Sequence, residues 1–345
     1  MAELFIVGVG RSGTSLLQSM FAAHPAVAML PETSFFRRYV SASRTTHGGQ
    51  RSEIRPLYDT DDRIRRLDRK TWEQAVNLSL SVRPATREQA YSPDRRPHGF
   101  PATEVGAIYQ FLLSPEIAAA QAKRDPQAIA YTGDKDPRLT EYLPLIKDLF
   151  PESHVIQIVR DPRDVLLSKS KADWSKGRGW RGNLAAGRFQ LDLSDRYGRW
   201  LWGWRYHVVR YEDLLDFPER TLRRLTEELD LDFDGRMLEF GRAAEQMTLG
   251  KPERWKKETL GPLLRNNAGK WQQELPLRQV HLVELVYRHW MERYGYVPLK
   301  SNGSAPGRRH PLAGFVMRVL YGTASRLYGR YRDWNLRQLA KRLNV

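Results

Sequence analysis

The sequence has no cysteine among its 345 residues. That excludes disulfides, thiolate metal sites and a cysteine nucleophile, and it is compatible with a reducing compartment. No apolar run approaches the ~20 residues that a membrane-spanning helix needs. No basic, apolar leader precedes the first predicted strand, which starts at residue 4. The expected location is therefore cytoplasmic. The eight histidines show no H-E-x-x-H and no ligand-spaced cluster, so structural or surface roles are expected for them. Acidic residues are in deficit: 40 Asp and Glu face 56 Lys and Arg, a net charge of +16. Such an excess favours polyanionic partners: a nucleotide, nucleic acid, an anionic membrane or an acidic substrate.

What is present begins at residues 4–17, LFIVGVGRSGTSLL. The run from Leu4 to Val7 predicts a strand. Gly8, Gly10 and Gly13 allow a tight turn, and Ser15-Leu16-Leu17 opens a helical pattern. The spacing fits the start of G-x-x-x-x-G-K-[ST], but Thr14 stands where that motif has lysine. The cation has moved into the loop, as Arg11, and Ser12, Thr14 and Ser15 add hydroxyl donors. Backbone amides of a glycine-rich turn at a helix N-terminus make an anion cradle. The competing reading is a plain strand–turn–helix; the sequence Arg11-Ser12-Gly13-Thr14-Ser15 favours the anion.

A second anion element is predicted at VIQIVRDPRDVLLSKS. Arg160 closes a strand over 154–159, and Ser168 follows eight residues later. Asp161, Pro162 and Asp164 are read as capping residues of the helix that follows. An arginine at the carboxyl end of a central strand points into the crevice where open α/β sheets bind ligands. Its alternative is a structural ion pair.

Between these elements, 41–128 is rich in Arg, Ser, Thr and Pro, with helical patches at 62–80 and 103–124. It reads as a mostly helical insertion near the acceptor site. Further strands are expected at 128–132 and 207–211, and helices at 139–150, about 186–204, 217–229 and 281–294. Trp200 and Trp204 are expected in the core, and 175–183 as a loop, either closing over the site or simply solvated. Strands alternating with helices predict an α/β fold: a P-loop-like three-layer sandwich, with a mainly parallel central sheet and helices on both faces. Residues 1–298 form the expected catalytic domain. Residues 299–345 form a basic linker and amphipathic C-terminal helices, with nine Lys and Arg against one acid, Asp333, over 301–345. Two fates stay open for that tail: peripheral contact through 308–345 with the inner face of a membrane, or docking on the domain or another subunit.

Two anion sites on successive βα units suit a nucleotide with phosphates at both ends of its ribose, and at this point the chain resembles the sulfotransferases that use 3′-phosphoadenosine 5′-phosphosulfate (PAPS). That family has a [RK]-S-G-T-[ST] loop for the 5′-phosphosulfate and R-x-x-x-x-x-x-x-S for the 3′-phosphate. Here these match Arg11 to Ser15, and Arg160 with Ser168. Its Y-E-D-L matches Tyr211 to Leu214, so Tyr211 resembles the residue near the adenine. Within the family the chain is most similar to the tyrosylprotein sulfotransferase-like branch: SGTSLLQSMFAAHP with PET, GDKDP, and GKW at 269–271. The resemblance implies Glu32 as general base, Lys135 and Arg11 as cations on the sulfuryl group, and Lys270 as a cofactor contact. One departure stands out: where that branch has a further arginine after the 3′-phosphate serine, this chain has Ala172, beside Lys171. The implied reaction moves a sulfuryl group from PAPS to a hydroxyl, less readily an amine, and leaves 3′-phosphoadenosine 5′-phosphate (PAP); no metal is required. A sugar, lipid-linked, phenolic, peptide or secondary-metabolite acceptor fits, a specific nucleic acid does not, and a homo-oligomer stays open. The alternatives are a P-loop kinase or NTPase, against which the missing lysine counts, and a non-enzymatic basic protein that binds nucleic acid or membrane.

Overall fold

The structure, a computed structural model, describes residues 2–30, 32, 35, 109–172, 175, 177, 179–247, 265–299 and 311–343. The expected insertion falls outside the described residues as far as 108, as does the linker at 301–307. Among the described residues one sheet has five strands: β1 (Ala2–Gly8), β2 (Val27–Met29), β3 (Tyr131–Lys135), β4 (His154–Val159) and β5 (Tyr206–Arg210). Their order is β2-β3-β1-β4-β5, and every pairing is parallel.

The helices are α1 (Thr14–Ala23), α2 (Pro115–Ala122), α3 (Leu143–Leu149), α4 (Pro162–Lys171), α5 (Gly179–Trp202), α6 (Tyr211–Asp216), α7 (Pro218–Glu227), α8 (Gly241–Met247), α9 (Trp271–Glu274), α10 (Leu277–Val286), α11 (Arg288–Arg293) and α12 (Pro311–Leu343). The period-2 pleat of β1 sorts its side chains between two layers. Phe5 and Val7 pack with Leu143, Ile146, Leu193, Tyr197 and Trp202 from α3 and α5. Leu4 and Ile6 pack with Leu16, Leu17, Met20, Leu214, Leu222 and Leu225 from α1, α6 and α7. All four strand residues are fully buried, which is why β1 reads as an unbroken apolar run. Truncating one of them, as in Ile6→Ala, would cost about 2–5 kcal/mol.

Local departures from the sequence pattern have local causes. β3 starts at Tyr131 rather than 128, because Asp125 caps a 3-10 turn over Pro126–Ala128 through Gln127 N. The strand then runs through Gly133 and Asp134, whose backbones pair with Leu4 and Phe5. The helix expected over 139–150 divides at Tyr142, with a 3-10 turn over Pro137–Glu141 before α3. That expected over 281–294 divides at Tyr287 into α10 and α11.

α5 begins at Gly179, well before the expected 186. Much of the segment read as a loop is therefore its first turns, and buried Asn183 donates to the Ser175 carbonyl at 3.1 Å. Trp200 and Trp204 are not in the core: they are 82% and 70% exposed, and Trp202 between them is the buried one, donating from Nε1 to Ser153 Oγ at 3.1 Å. On a helix, 200 and 202 point to opposite faces, and the face expected inward is the exposed one; Trp204 lies past the end of α5, in a 3-10 turn over Gly203–Arg205. The tail is one helix, α12, packed on α5, α10 and α3.

Candidate active site

The carboxyl ends of β1, β3, β4 and β5 carry Gly8, Lys135, Arg160 and Tyr211 to one edge of the sheet, and Glu32 follows β2 at the same edge. This is the edge at which open α/β sheets bind ligands. α1 starts at Gly13 with no side-chain cap and no acid in its first turn, so its leading amides face the loop without a competing carboxylate. Gly13 has φ 98°, and a Cβ there would lie 2.3 Å from Tyr211 Cδ2. Only glycine lets the turn close against that ring. Ser12 N donates to the Val9 carbonyl at 2.9 Å, which tightens the turn.

Arg11 adopts φ 79°, an uncommon conformation for a residue with a side chain. Its Nε donates to Ser168 Oγ at 2.9 Å, and its carbonyl accepts from Arg160 Nη1 at 3.2 Å. The two anion elements read separately from the sequence are thus one hydrogen-bonded unit. Arg160 is almost wholly buried. Its guanidinium stands 4.4 Å over the Tyr211 ring, and Nη2 donates to the Asn267 carbonyl. The structural ion pair considered for it is only a long contact, 4.0 Å to Asp164 Oδ2. Nε of Arg160 is buried and has no hydrogen-bond partner among the described residues. A buried donor without an acceptor is costly, so this one suits an anionic ligand.

On the other side of the loop, the sheet order places β3 beside β1 and brings Lys135 to it. Lys135 pairs with Glu32 and donates to Ser15 Oγ at 3.2 Å. The lysine side chain is 1% exposed and the glutamate 19%, so the carboxylate is the more accessible partner. A buried ammonium needs such a partner. Arg11, Ser12, Gly13, Thr14, Ser15, Glu32, Lys135, Arg160, Ser168 and Tyr211 therefore gather at one edge. Lys270 lies nearby in the chain: its side chain is exposed, and its neighbour Gly269 is tied to Asp164.

That tie was not legible as capping. Asp161 does cap α4, accepting from Arg163 N at 2.9 Å. Asp164 instead accepts from Gly269 N at 2.6 Å and Trp271 N at 3.0 Å. Burial pushes its carboxyl above the usual carboxylate range, against the pull of Arg160 and of these two amides. Asn267, also missed, donates from Nδ2 to the Tyr211 hydroxyl at 2.9 Å. The segment 267–271 so touches both Arg160 and Tyr211; the GKW at 269–271 was its one sequence signal. Lys171, beside the Ala172 departure, pairs with Glu274 on α9, and Ala172 is buried.

The model of the Sulfotransferase family matches residues 3–235, from β1 to just beyond α7. The chain belongs to the sulfotransferase family. Among relatives of this sulfotransferase, carbohydrate sulfotransferase 1 of Danio rerio is 25% identical over 341 residues, covering 87% of this chain and 79% of its own. The protein-tyrosine sulfotransferase of Drosophila melanogaster is 25% identical over 285 residues, covering 80% of this chain and 48% of its own. The fold is shared with the sulfotransferase domain from the curacin biosynthetic pathway, with TM-score 0.53, 21% identity, and 86% and 99% of the two chains covered. It is shared too with that of the Synechococcus PCC 7002 olefin synthase, with TM-score 0.51, 21% identity, and 82% and 94% covered. The sulfotransferase is an enzyme of sulfuryl transfer, and its family generally uses PAPS. Among the described residues, none of its helices is long and apolar enough to cross a membrane.

Proposed function

We propose that this sulfotransferase takes its sulfuryl group from PAPS and delivers it to a hydroxyl of a sugar, a protein tyrosine or a similar acceptor. The observation that carries the reading is Lys135, buried beside the loop and paired with the more accessible carboxylate of Glu32. PAPS would supply the sulfuryl group and leave as PAP. Arg160, through its unpartnered Nε, and Ser168 would hold the 3′-phosphate; the amides at Gly13 to Ser15 and the cation of Arg11 would hold the 5′ end. Tyr211 would stand beside the adenine, and Lys270 would close on the nucleotide from 265–271.

The acceptor hydroxyl must lie in line with the S–O bond that breaks. Its oxygen forms the new S–O bond, its proton passes to Glu32, and the electron pair of the broken bond stays on the departing phosphate. Lys135 and Arg11 offset the negative charge that builds on the sulfuryl and bridging oxygens. Stabilising such developing charge usually accelerates a group transfer more than any other single effect. Glu32, held in place by Lys135, faces the acceptor side and serves as general base. Residues 1–298 form the catalytic unit in this reading. The relatives' names span carbohydrate and protein-tyrosine acceptors, which supports a hydroxyl acceptor without choosing one.

The test is titration calorimetry of PAP against ADP and ATP–Mg²⁺, on the wild type and on Arg160→Ala. Selective PAP binding is expected, weakened by the substitution about 30-fold or more. Equal or tighter binding of ATP–Mg²⁺, unchanged in Arg160→Ala, would instead point to a phosphoryl transferase.

A further inference from the structure

The C-terminal helix is docked and open at once. Its inner face is fastened to α5: the ring of Tyr328 stacks on Phe189 at 5.0 Å, Ser325 donates to Asp192, and Asp333 receives Arg196 and the Tyr197 hydroxyl. These contacts fix the rotation of α12 about its axis. The outer face then carries Val316, Leu320, Leu327, Tyr331 and Trp334, all between 45% and 59% exposed. At 100° per residue these five fall in one stripe, about 27 Å long from first to last. Exposed Arg326 and Arg330 line one edge of it. A stripe of this length left in water is unusual for a soluble surface and marks an interaction site.

Charge selects the occupant. Residues 301–345 hold nine Lys and Arg and a single acid, Asp333. That acid is turned inward onto Arg196 and Tyr197. Exposed Trp200 lines a cleft with Asp333 and Arg337 where α5 and α12 meet. Apolar side chains along a helix, arginines at its edge and an exposed tryptophan among them are the chemistry of a helix lying in the headgroup layer. A second copy fits less well, because two such faces would bring arginines against arginines.

We propose that the outer face of α12 docks the sulfotransferase on an anionic lipid bilayer, flat on its surface and without spanning it. The docked inner face makes the helix part of the catalytic body, so the bilayer would hold the whole enzyme rather than a tethered tail. The substitutions that test this fall on exposed side chains outside the candidate active site.

The full chain would be sedimented with vesicles of phosphatidylcholine alone and of phosphatidylcholine mixed with phosphatidylglycerol, at low and high salt. Partition onto the anionic vesicles should exceed that onto the neutral ones roughly tenfold or more, and should fall with salt. Leu320→Glu with Leu327→Glu should lower it roughly tenfold or more, as should Arg326→Glu with Arg330→Glu. Circular dichroism melts would show that both variants fold. The proposal is overturned if the wild type stays in the supernatant, or if it binds both vesicle types equally. It is also overturned if neither variant changes the partition, or if the leucine substitutions instead dissolve a dimer seen by sedimentation velocity.

Discussion

The guanidinium of Arg160 lies 4.4 Å over the ring of Tyr211, and the hydroxyl of that tyrosine is held by Asn267 at 2.9 Å. One residue is the candidate 3′-phosphate ligand and the other the candidate adenine neighbour, so the two ends of the nucleotide site share a wall. Removing only the hydroxyl leaves the stack. Tyr211→Phe should weaken PAP by about three- to tenfold, the worth of one hydrogen bond. Tyr211→Ala removes the platform under Arg160 as well and should weaken it roughly 100-fold. Calorimetry on both variants measures the gap; equal losses would show that the ring itself contributes nothing to binding.

The pair Lys135–Glu32 separates binding from chemistry. Glu32→Gln keeps shape and a hydrogen-bonding end but cannot take a proton. It should lower kcat about 100-fold or more while changing PAP affinity only a few-fold. Lys135→Met removes a buried cation beside the loop, and should lower both kcat and nucleotide affinity. A Glu32→Gln enzyme with near-normal kcat would remove Glu32 from the role of base.

Much of this site could be read from the sequence, for a physical reason. The loop from Gly8 to Ser15 and the element from Arg160 to Ser168 are local strand–turn–helix units; the first carries its own glycines and hydroxyls, the second its capping aspartate, proline and serine. Glu32 and Lys135 could be named only through the family resemblance. They lie 103 residues apart, and their meeting depends on β2 lying beside β3. The contacts of Asp164 and Asn267 had no local signal: they join residues 105 and 56 apart. An aspartate in the first turn of a helix reads as a favourable dipole partner whatever else it binds. Likewise the spacing of Trp200 and Trp202 separated two faces of α5, but what covered each face was a matter of tertiary packing.

Asp164 makes its own prediction. It gathers the amides of Gly269 and Trp271 onto α4, next to Arg160. Asp164→Ala leaves both amides without their acceptor and should destabilise the fold by about 2–4 kcal/mol. Hydrogen exchange at 269 and 271 should speed up well beyond the change seen in β1. PAP affinity should fall without any effect of the substitution on Glu32. If exchange at these amides is unchanged, the turn is held by something other than Asp164.

The opposite end of the sheet carries a pH-sensitive contact. The rings of His154 and His207 lie nearly parallel, with His154 Nδ1 3.1 Å from His207 Nε2, and His207 Nδ1 is 2.9 Å from Glu228 Oε2. Burial first, then the facing His207 and the Arg205 cation, push the His154 imidazole from the usual 6.5 down to about 4. Burial also disfavours the Glu228 charge, but His207 and Arg224 outweigh it and hold that carboxyl below its usual range. The folded state therefore keeps His154 neutral where the unfolded chain protonates it. Above pH 6.5 this contribution is fully present; it is lost progressively as pH falls from 6.5 to about 4. The loss is up to about 3 kcal/mol. Denaturant unfolding of the wild type and of His154→Phe across that window checks the sign. The substitution gives up the hydrogen bond to His207, so it should be less stable near neutrality, and its disadvantage should shrink or reverse toward the acid end. Parallel pH profiles for the two proteins would show that His154 is not the group that titrates.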